Sequence, residues 1–358
     1  MDIMSAREAA DKWGISQRRV AVLCSEGRID QAQLVGNSWI MPATAEKPVD
    51  ARSIRHIPPA GGRARPFLKW AGGKGQLLSE IEKYYPFVDG KITKYAEPFV
   101  GGGSVLFDIL GKYRLDAVYI SDTNPDLVNA YVVVQNEVNK LIDLLMQMQE
   151  DYVPMGTENR RSYYIRKRER FNERKICSDT SASPERAALF IFLNKTCFNG
   201  LYRVNRKGQF NVPMGAYKKP PICDDINLRA VSEKLQGVKI FCGDYRKSAD
   251  FIDKDTFVYF DPPYRPLSET ASFTAYTEDV FDDERQIELA NFVREMDKTG
   301  AHIVVSNSDP KNTNPDDNFF DNIYSGRHIK RVEATRMINS KSTDRGKIKE
   351  LLISNFRR

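Results

Sequence analysis

Asp261, Pro262, Pro263 and Tyr264 follow directly on a strand-like apolar run, "TFVYF", and their types in that order suit a reaction centre. A carboxylate and the backbone carbonyl of a proline are both acceptors, and proline fixes φ while removing the N–H that would compete with them. Two rigid acceptors side by side can hold both hydrogens of an amine in one direction. On a flat conjugated ring such an amine is a poor nucleophile, because its lone pair is delocalised, and a clamp of this kind draws it towards tetrahedral geometry. Tyr264 adds an aromatic face on which a planar group can stack. Two prolines also end strands for no chemical reason, so the tetrapeptide gains weight only from what accompanies it.

Two other strand ends carry unusual residues. In "EPFVGGGS", Gly101, Gly102 and Gly103 stand between a strand and a helix, where missing side chains let backbone approach a ligand. Asp122 ends the next strand, "AVYISD", about 20 residues after the glycines, a place from which an acid accepts from a ribose hydroxyl. Together they favour an adenosine-containing cofactor and leave a dinucleotide and S-adenosylmethionine both open. Lys74, in "AGGKGQLL", lacks the spacing of a nucleoside-triphosphate loop.

These residues need a scaffold that brings strand ends together. "ITKYAEPF", "AVYISD", "TFVYFD" and "AHIVVSN" read as strands, and "GGGSVLFDILGKY", "NPDLVNAYVVVQNEVNKLIDLLMQM" and "DDERQIELANFVREMDKTG" as helices. The alternation predicts an α/β fold, a mostly parallel sheet covered on both faces, with ligands beyond the carboxyl ends of its strands. "HIKRVEATRMI" and "KIKELLISNF" read as strands without an intervening helix, an antiparallel pair at the sheet edge. Residues 1–41 form a unit of their own. A helix stops at Gly14, Ser16 caps a second helix, "QRRVAVLCSEG", and a hairpin turns around Gly36 and Asn37. Residues 42–64, rich in Pro, Gly and Ala without apolar periodicity, read as a linker.

A chain of 358 residues with 41% hydrophobic content has room for two or three domains and a sizeable core. No apolar run approaches the ~20 residues of a membrane span, and the start, "MDIMSAREAADKWG", is charged and amphipathic, so a cytoplasmic protein is expected. Cys24, Cys177, Cys197, Cys223 and Cys242 form no Cys-x-x-Cys pair and have only three histidines beside them, which predicts neither a metal site nor disulfides. The net charge is +6, but it is unevenly spread. Arg160–Lys219 holds 15 basic and 4 acidic residues, leaving 39 basic against 44 acidic elsewhere. A regional excess of this kind is the footprint of a polyanion partner.

"DPPY" resembles the catalytic motif of amino-methyltransferases that act on adenine N6 or cytosine N4. Residues 65–356 resemble the Dam-type DNA adenine methyltransferases: "RPFLKWAGGK", "EPFVGGGSVLF", "SDTN", a long insert and "DPPYRPLS" stand in the same order. The resemblance implies a Rossmann-like S-adenosylmethionine-dependent methyltransferase sheet at 65–151 and 244–358, with an inserted, mainly helical target-recognition region at 152–243. It implies S-adenosylmethionine as cofactor, double-stranded DNA as partner, no metal, and in-line transfer to a flipped adenine in GATC. Asp261, Pro262, Pro263 and Tyr264 are then catalytic, and cofactor contacts fall on Trp70, Lys74, Phe99, Gly101, Asp122 and Asp261.

By the same resemblance Lys69 reads the first guanine of the site and Arg203 the guanine opposite the target strand's cytosine. Leu201 and Pro213 sense neighbouring bases, Phe198 presses into the stack, and Tyr217 and Lys218 lie near the backbone. Phe198 stands where some relatives have tyrosine, while Phe192 reads as core. Ser340–Arg345 is polar, suited equally to touching phosphates or to standing in solvent, and residues 307–318 form another loop over the same rim. The first 41 residues resemble the winged helix-turn-helix of MerR-like and excisionase-like DNA binders, with Gln17, Arg18 and Arg19 opening the recognition helix. Minimal family members start close to Arg65, so this unit is an addition. A monomer is expected, with a cognate restriction endonuclease as a further partner. Cytosine-N4 transfer and a DNA-binding regulator with a decayed enzyme domain are the alternatives. A dehydrogenase would leave the basic insert and Asp-Pro-Pro-Tyr unexplained.

Overall fold

Ser5 begins the first helix and Gly14 ends it. The Ser5 hydroxyl accepts from the Glu8 N–H while Glu8 accepts from the Ser5 N–H, and Gly14, in the left-handed region, closes the helix Ala6–Trp13 onto Ala10. A computed structural model describes residues 3–14, 16–25, 29, 31–36, 38–45, 47, 64–173, 182–265, 281–335 and 347–357. Two units, 1–62 and 63–358, divide it. In the first, a second helix, Gln17–Ser25, joins a three-stranded antiparallel sheet of β1 (Ile3–Ser5), β2 (Gln33–Val35) and β3 (Ser38–Pro42), in the order β1-β3-β2. Ala9, Val20, Leu23 and Met41 are its core. The β2–β3 hairpin was expected; β1, three residues long, carries too little pattern to foresee. The Arg19 side chain, Asn37, Cys177, most of the expected linker and Ser340–Arg345 lie outside the described residues.

The larger unit is built on one sheet of seven strands: β4 (Lys94–Glu97), β5 (Ala117–Asp122), β6 (Lys239–Cys242), β7 (Thr256–Phe260), β8 (His302–Ser308), β9 (His328–Thr335) and β10 (Lys347–Ser354). Their order is β6-β5-β4-β7-β8-β10-β9. The first five in that order run parallel, and β10 is antiparallel to both β8 and β9. The chain leaves β4 towards one side of the sheet and β7 towards the other, so strand order reverses between them and a crevice forms beyond their carboxyl ends. All five residues of β7 are buried, as a strand covered on both faces requires.

Two expectations need correction. Residues 124–148 form two helices, Pro125–Asn136 and Val138–Tyr152, because Glu137 leaves helical geometry at φ −132°, ψ 35°. The apolar pattern runs through the break, so periodicity alone gave no sign of it. β6 was not foreseen and lies inside the stretch assigned to the insert, yet it pairs with β5 in the main sheet. As an edge strand with mostly exposed side chains it lacks apolar alternation. The insert is otherwise carried by the helices Thr157–Glu173, Pro184–Thr196 and Asp225–Leu235, the second buried along most of its length.

Candidate active site

The glycine loop after β4 is shaped by what packs beneath it. Gly101 has φ +48°, and a Cβ there would stand 2.9 Å from Cδ1 of Trp70; Gly103 has φ +74°, and a Cβ there would stand 2.5 Å from Oη of Tyr131. Tyr131 donates to the Gly101 carbonyl at 3.1 Å, and the Gly101 N–H donates to Oδ2 of Asp122 at 3.1 Å. The Asn124 N–H holds Oδ1 of Asp122 at 2.9 Å. Burial pushes the Asp122 carboxyl up, while the N–H groups of Asn124, Gly101 and Thr123 oppose it. Each oxygen keeps lone-pair capacity for a hydroxyl donor. Phe99 packs against Tyr245 and Phe281, and Trp70 stacks on Tyr202. Trp70, Phe99, Gly101 and Asp122 thus meet around one end of the crevice.

At the tip of β7, Oδ1 of Asp261 accepts from Lys74 Nζ at 2.7 Å and from the Ser306 hydroxyl at 2.8 Å. Oδ2 has no partner among the described residues. Lys74 is only 5% exposed; it also donates to the Gly72 carbonyl at 2.8 Å, and its Nζ lies 4.7 Å from the centre of the Tyr264 ring. Lys74 therefore joins the Asp261 end of the crevice. Glu97, 2% exposed at the end of β4, accepts from the Tyr95 hydroxyl at 2.8 Å. Burial drives its carboxyl well above the ordinary range, against the Tyr95 hydrogen bond and with the nearby Asp261 charge adding to the rise.

The rest of the tetrapeptide is gripped from several elements. Pro262 is buried, and the Pro263 carbonyl accepts from Gln286 at 3.0 Å. The Tyr264 hydroxyl donates to Glu350, and the Arg265 N–H donates to Asn307. The Arg265 guanidinium reaches Asp283 at 2.8 Å and Asp317 at 2.6 Å and lies 4.2 Å from the centre of the Phe319 ring. Of the stretch 307–318 expected as a loop, Asn307 ends up in β8, and it and Asp317 contact Arg265 beside the motif. Glu97, Gln286, Ser306, Asn307 and Glu350 were not singled out from sequence. Glu97, Ser306, Asn307 and Glu350 are polar residues inside otherwise apolar strand runs, as in "IVVSNS" and "KELLIS", and Gln286 lies on the helix Asp283–Asp297.

In the insert, buried Asn194 ties two segments together. It accepts from the Lys69 N–H at 2.9 Å and donates to the carbonyls of Lys69 and Gly200 at 2.8 and 3.0 Å. Asn199 and Gly200 both have positive φ, and this turn leaves Phe198 53% exposed while Phe192 is fully buried. Lys69 Nζ lies 4.6 Å from the centre of the Tyr217 ring, and Arg160 donates to the carbonyls of Tyr217 and Lys218. Arg203 is exposed and held by Asn211 at 2.8 Å. The ribbon expected around "NRKG" has the isolated bridges Cys197–Met214 and Val204–Phe210 and backbone hydrogen bonds from the Asn205 N–H to Gln209 and from the Asn211 N–H to Arg203. Pro213 is exposed and accepts from the Phe198 N–H, whereas Leu201 is half-buried against the core. Lys69, Phe198, Pro213 and Tyr217 are linked by these contacts; Arg203 stands on the adjoining ribbon.

With this geometry in view, the family profile described as D12 class N6 adenine-specific DNA methyltransferase matches residues 70–338. The chain belongs to this family. It is 50% identical over 82% of its length to the Type II methyltransferase M.MjaIII of Methanocaldococcus jannaschii, covering 99% of that protein. To the Type II methyltransferase M1.LlaDCHI of Lactococcus lactis subsp. cremoris it is 38% identical, over 82% of this chain and 95% of the relative. To the DNA adenine methylase of Escherichia coli it is 36% identical, over 80% and 94%. The methyltransferase acts on adenine N6 of DNA, which sets cytosine-N4 aside. Among the described residues no helix is long and apolar enough to cross a membrane.

Proposed function

We propose that this methyltransferase modifies the adenine of GATC in double-stranded DNA, with S-adenosylmethionine as methyl donor and the base turned out of the duplex. The residues at the crevice fit that donor. The glycine loop carries no side chains of its own and packs on Trp70 and Tyr131, Asp122 offers acceptors to ribose hydroxyls, and Phe99 borders the same end. When bound, the cofactor supplies the methyl group. Trp70, Lys74, Phe99, Gly101, Asp122 and Asp261 are its proposed surroundings.

The observation that carries the reading is Asp261. Lys74 and Ser306 fix one of its oxygens while the other is unengaged among the described residues, beside two prolines. Oδ2 of Asp261 and the carbonyl of Pro262 accept the two amine hydrogens, drawing the nitrogen lone pair out of conjugation, and Pro263 keeps the clamp rigid. Tyr264 supplies the stacking face for the extruded base. The segment 152–238 carries recognition, the sheet unit built from 65–151 and 239–358 carries catalysis, and Lys69 and Arg203 read guanines. Leu201 and Pro213 sense neighbouring bases, Phe198 presses into the stack, and Tyr217 and Lys218 follow the backbone. The unit ahead of the linker, two helices and a hairpin, makes a second DNA contact through Gln17, Arg18 and Arg19. Relatives named Type II methyltransferases favour a restriction endonuclease as partner.

Expression in a host lacking adenine methylation, followed by digestion of its DNA with nucleases that require or refuse methylated GATC, tests this. The expected result is protection from the second and cleavage by the first, both lost in Asp261→Ala. Unchanged digestion by soluble wild-type protein would overturn the site assignment.

A further inference from the structure

Glu350 lies on β10, two strands away from β7, in register with Ser308 of β8. β8 already supplies Ser306 to Asp261 and Asn307 to the Arg265 N–H. From one strand further out, the Glu350 carboxylate accepts the hydroxyl proton of Tyr264. The ring is therefore fixed at both ends, by a proline-stiffened backbone and by its hydroxyl, with Lys74 over it. Its neighbours along the strand, Leu351, Leu352 and Ile353, are core residues, whereas Glu350 is half-buried and feels the charges of Lys74 and Asp261 as well as the Tyr264 hydroxyl.

We propose that Glu350 is a positioning residue for the transfer reaction: it holds the Tyr264 ring in the plane on which the extruded adenine stacks, and it acts chiefly through the Tyr264 hydroxyl, to which it is hydrogen-bonded. This rests on the stacking role given to Tyr264 above. A hydrogen bond to a carboxylate is strong enough to hold one ring orientation, so its loss spreads the ring over others and reduces the productive fraction.

The test measures single-turnover methylation of a GATC duplex, with a parallel duplex carrying 2-aminopurine at the target adenine to report base extrusion and stacking. Wild type, Glu350→Ala, Glu350→Gln, Tyr264→Phe and the double variant Tyr264→Phe/Glu350→Ala are compared. Glu350→Ala should lower the rate roughly ten- to a hundredfold and change the stacking signal, with the KM for S-adenosylmethionine within about twofold. Glu350→Gln keeps an acceptor oxygen and should recover most of the rate. Tyr264→Phe should fall as Glu350→Ala does, and the double variant should fall no further. An unimpaired Glu350→Ala overturns the proposal, as does a double variant whose loss is the product of the single losses. Should Glu350→Ala fail to fold, Tyr264→Phe decides, and wild-type rate there overturns the proposal. Wild-type protein inactive on GATC would instead overturn the functional reading beneath it.

Discussion

At Gly103 the chain turns through φ +74° directly before the helix Ser104–Lys112, and an added methyl would meet Tyr131 Oη at 2.5 Å and Phe107 Cε2 at 2.9 Å. Tyr131 also anchors the Gly101 carbonyl, so the clash would be felt at the cofactor loop. Gly103→Ala should destabilise by about 2–5 kcal/mol, left-handed strain plus overpacking, measured by urea denaturation. Gly102→Ala should cost far less, because its φ is ordinary and its nearest neighbour is the Trp70 Cβ at 3.2 Å. Glycines and prolines disclosed the site in the sequence because each answers a backbone demand that can be read from one residue. Ser306 and Glu350 did not, because a polar residue in an apolar strand acquires meaning only once the topology sets β8 and β10 beside β7.

The elements around the motif differ in what the sequence told of them. β5 and β7 were legible to within a residue because burial on both faces leaves unbroken apolar runs; β6, at the edge, and the break at Glu137, within a continuous apolar stripe, left no such trace. The grip on Arg265 depends on two separate elements, the helix Asp283–Asp297 and the loop that carries Asp317. Burial pushes the Asp317 carboxyl up, but the Phe319 N–H and the Arg265 guanidinium outweigh it and hold it below its ordinary value. A depressed carboxylate contributes stability above its unfolded pKa of about 3.9 and loses it as pH falls through the folded value. Arg265→Ala should therefore be less stable than wild type by about 1–3 kcal/mol at pH 7, and the gap should narrow below about pH 4. Urea midpoints of the two proteins across that range check it.

Over the whole molecule, Lys195 of the basic insert comes within the electrostatic reach of Lys69 and Arg65. Burial pulls Lys195 down to about 8, against Asp224 and with the charges of Lys69 and Arg65 adding to the fall. A DNA phosphate brought close restores its proton, so binding above pH 8 requires proton uptake and affinity should fall as pH rises from 7 to 9. Lys195→Met should bind more weakly at pH 7 and show a flatter dependence, read by fluorescence anisotropy with a GATC duplex. The unit 1–62 has its own core, and the core of the larger unit begins at Ala64, so residues 63–358 should fold and methylate without it. If Arg18 and Arg19 contact phosphates, removing them releases fewer counterions on binding. The slope of log affinity against log salt should then become shallower by about two for residues 63–358, at close to one unit per lost contact. An identical slope with unchanged affinity would assign the added unit to a partner other than DNA, because a lost phosphate contact must show in the salt dependence whatever the base sequence.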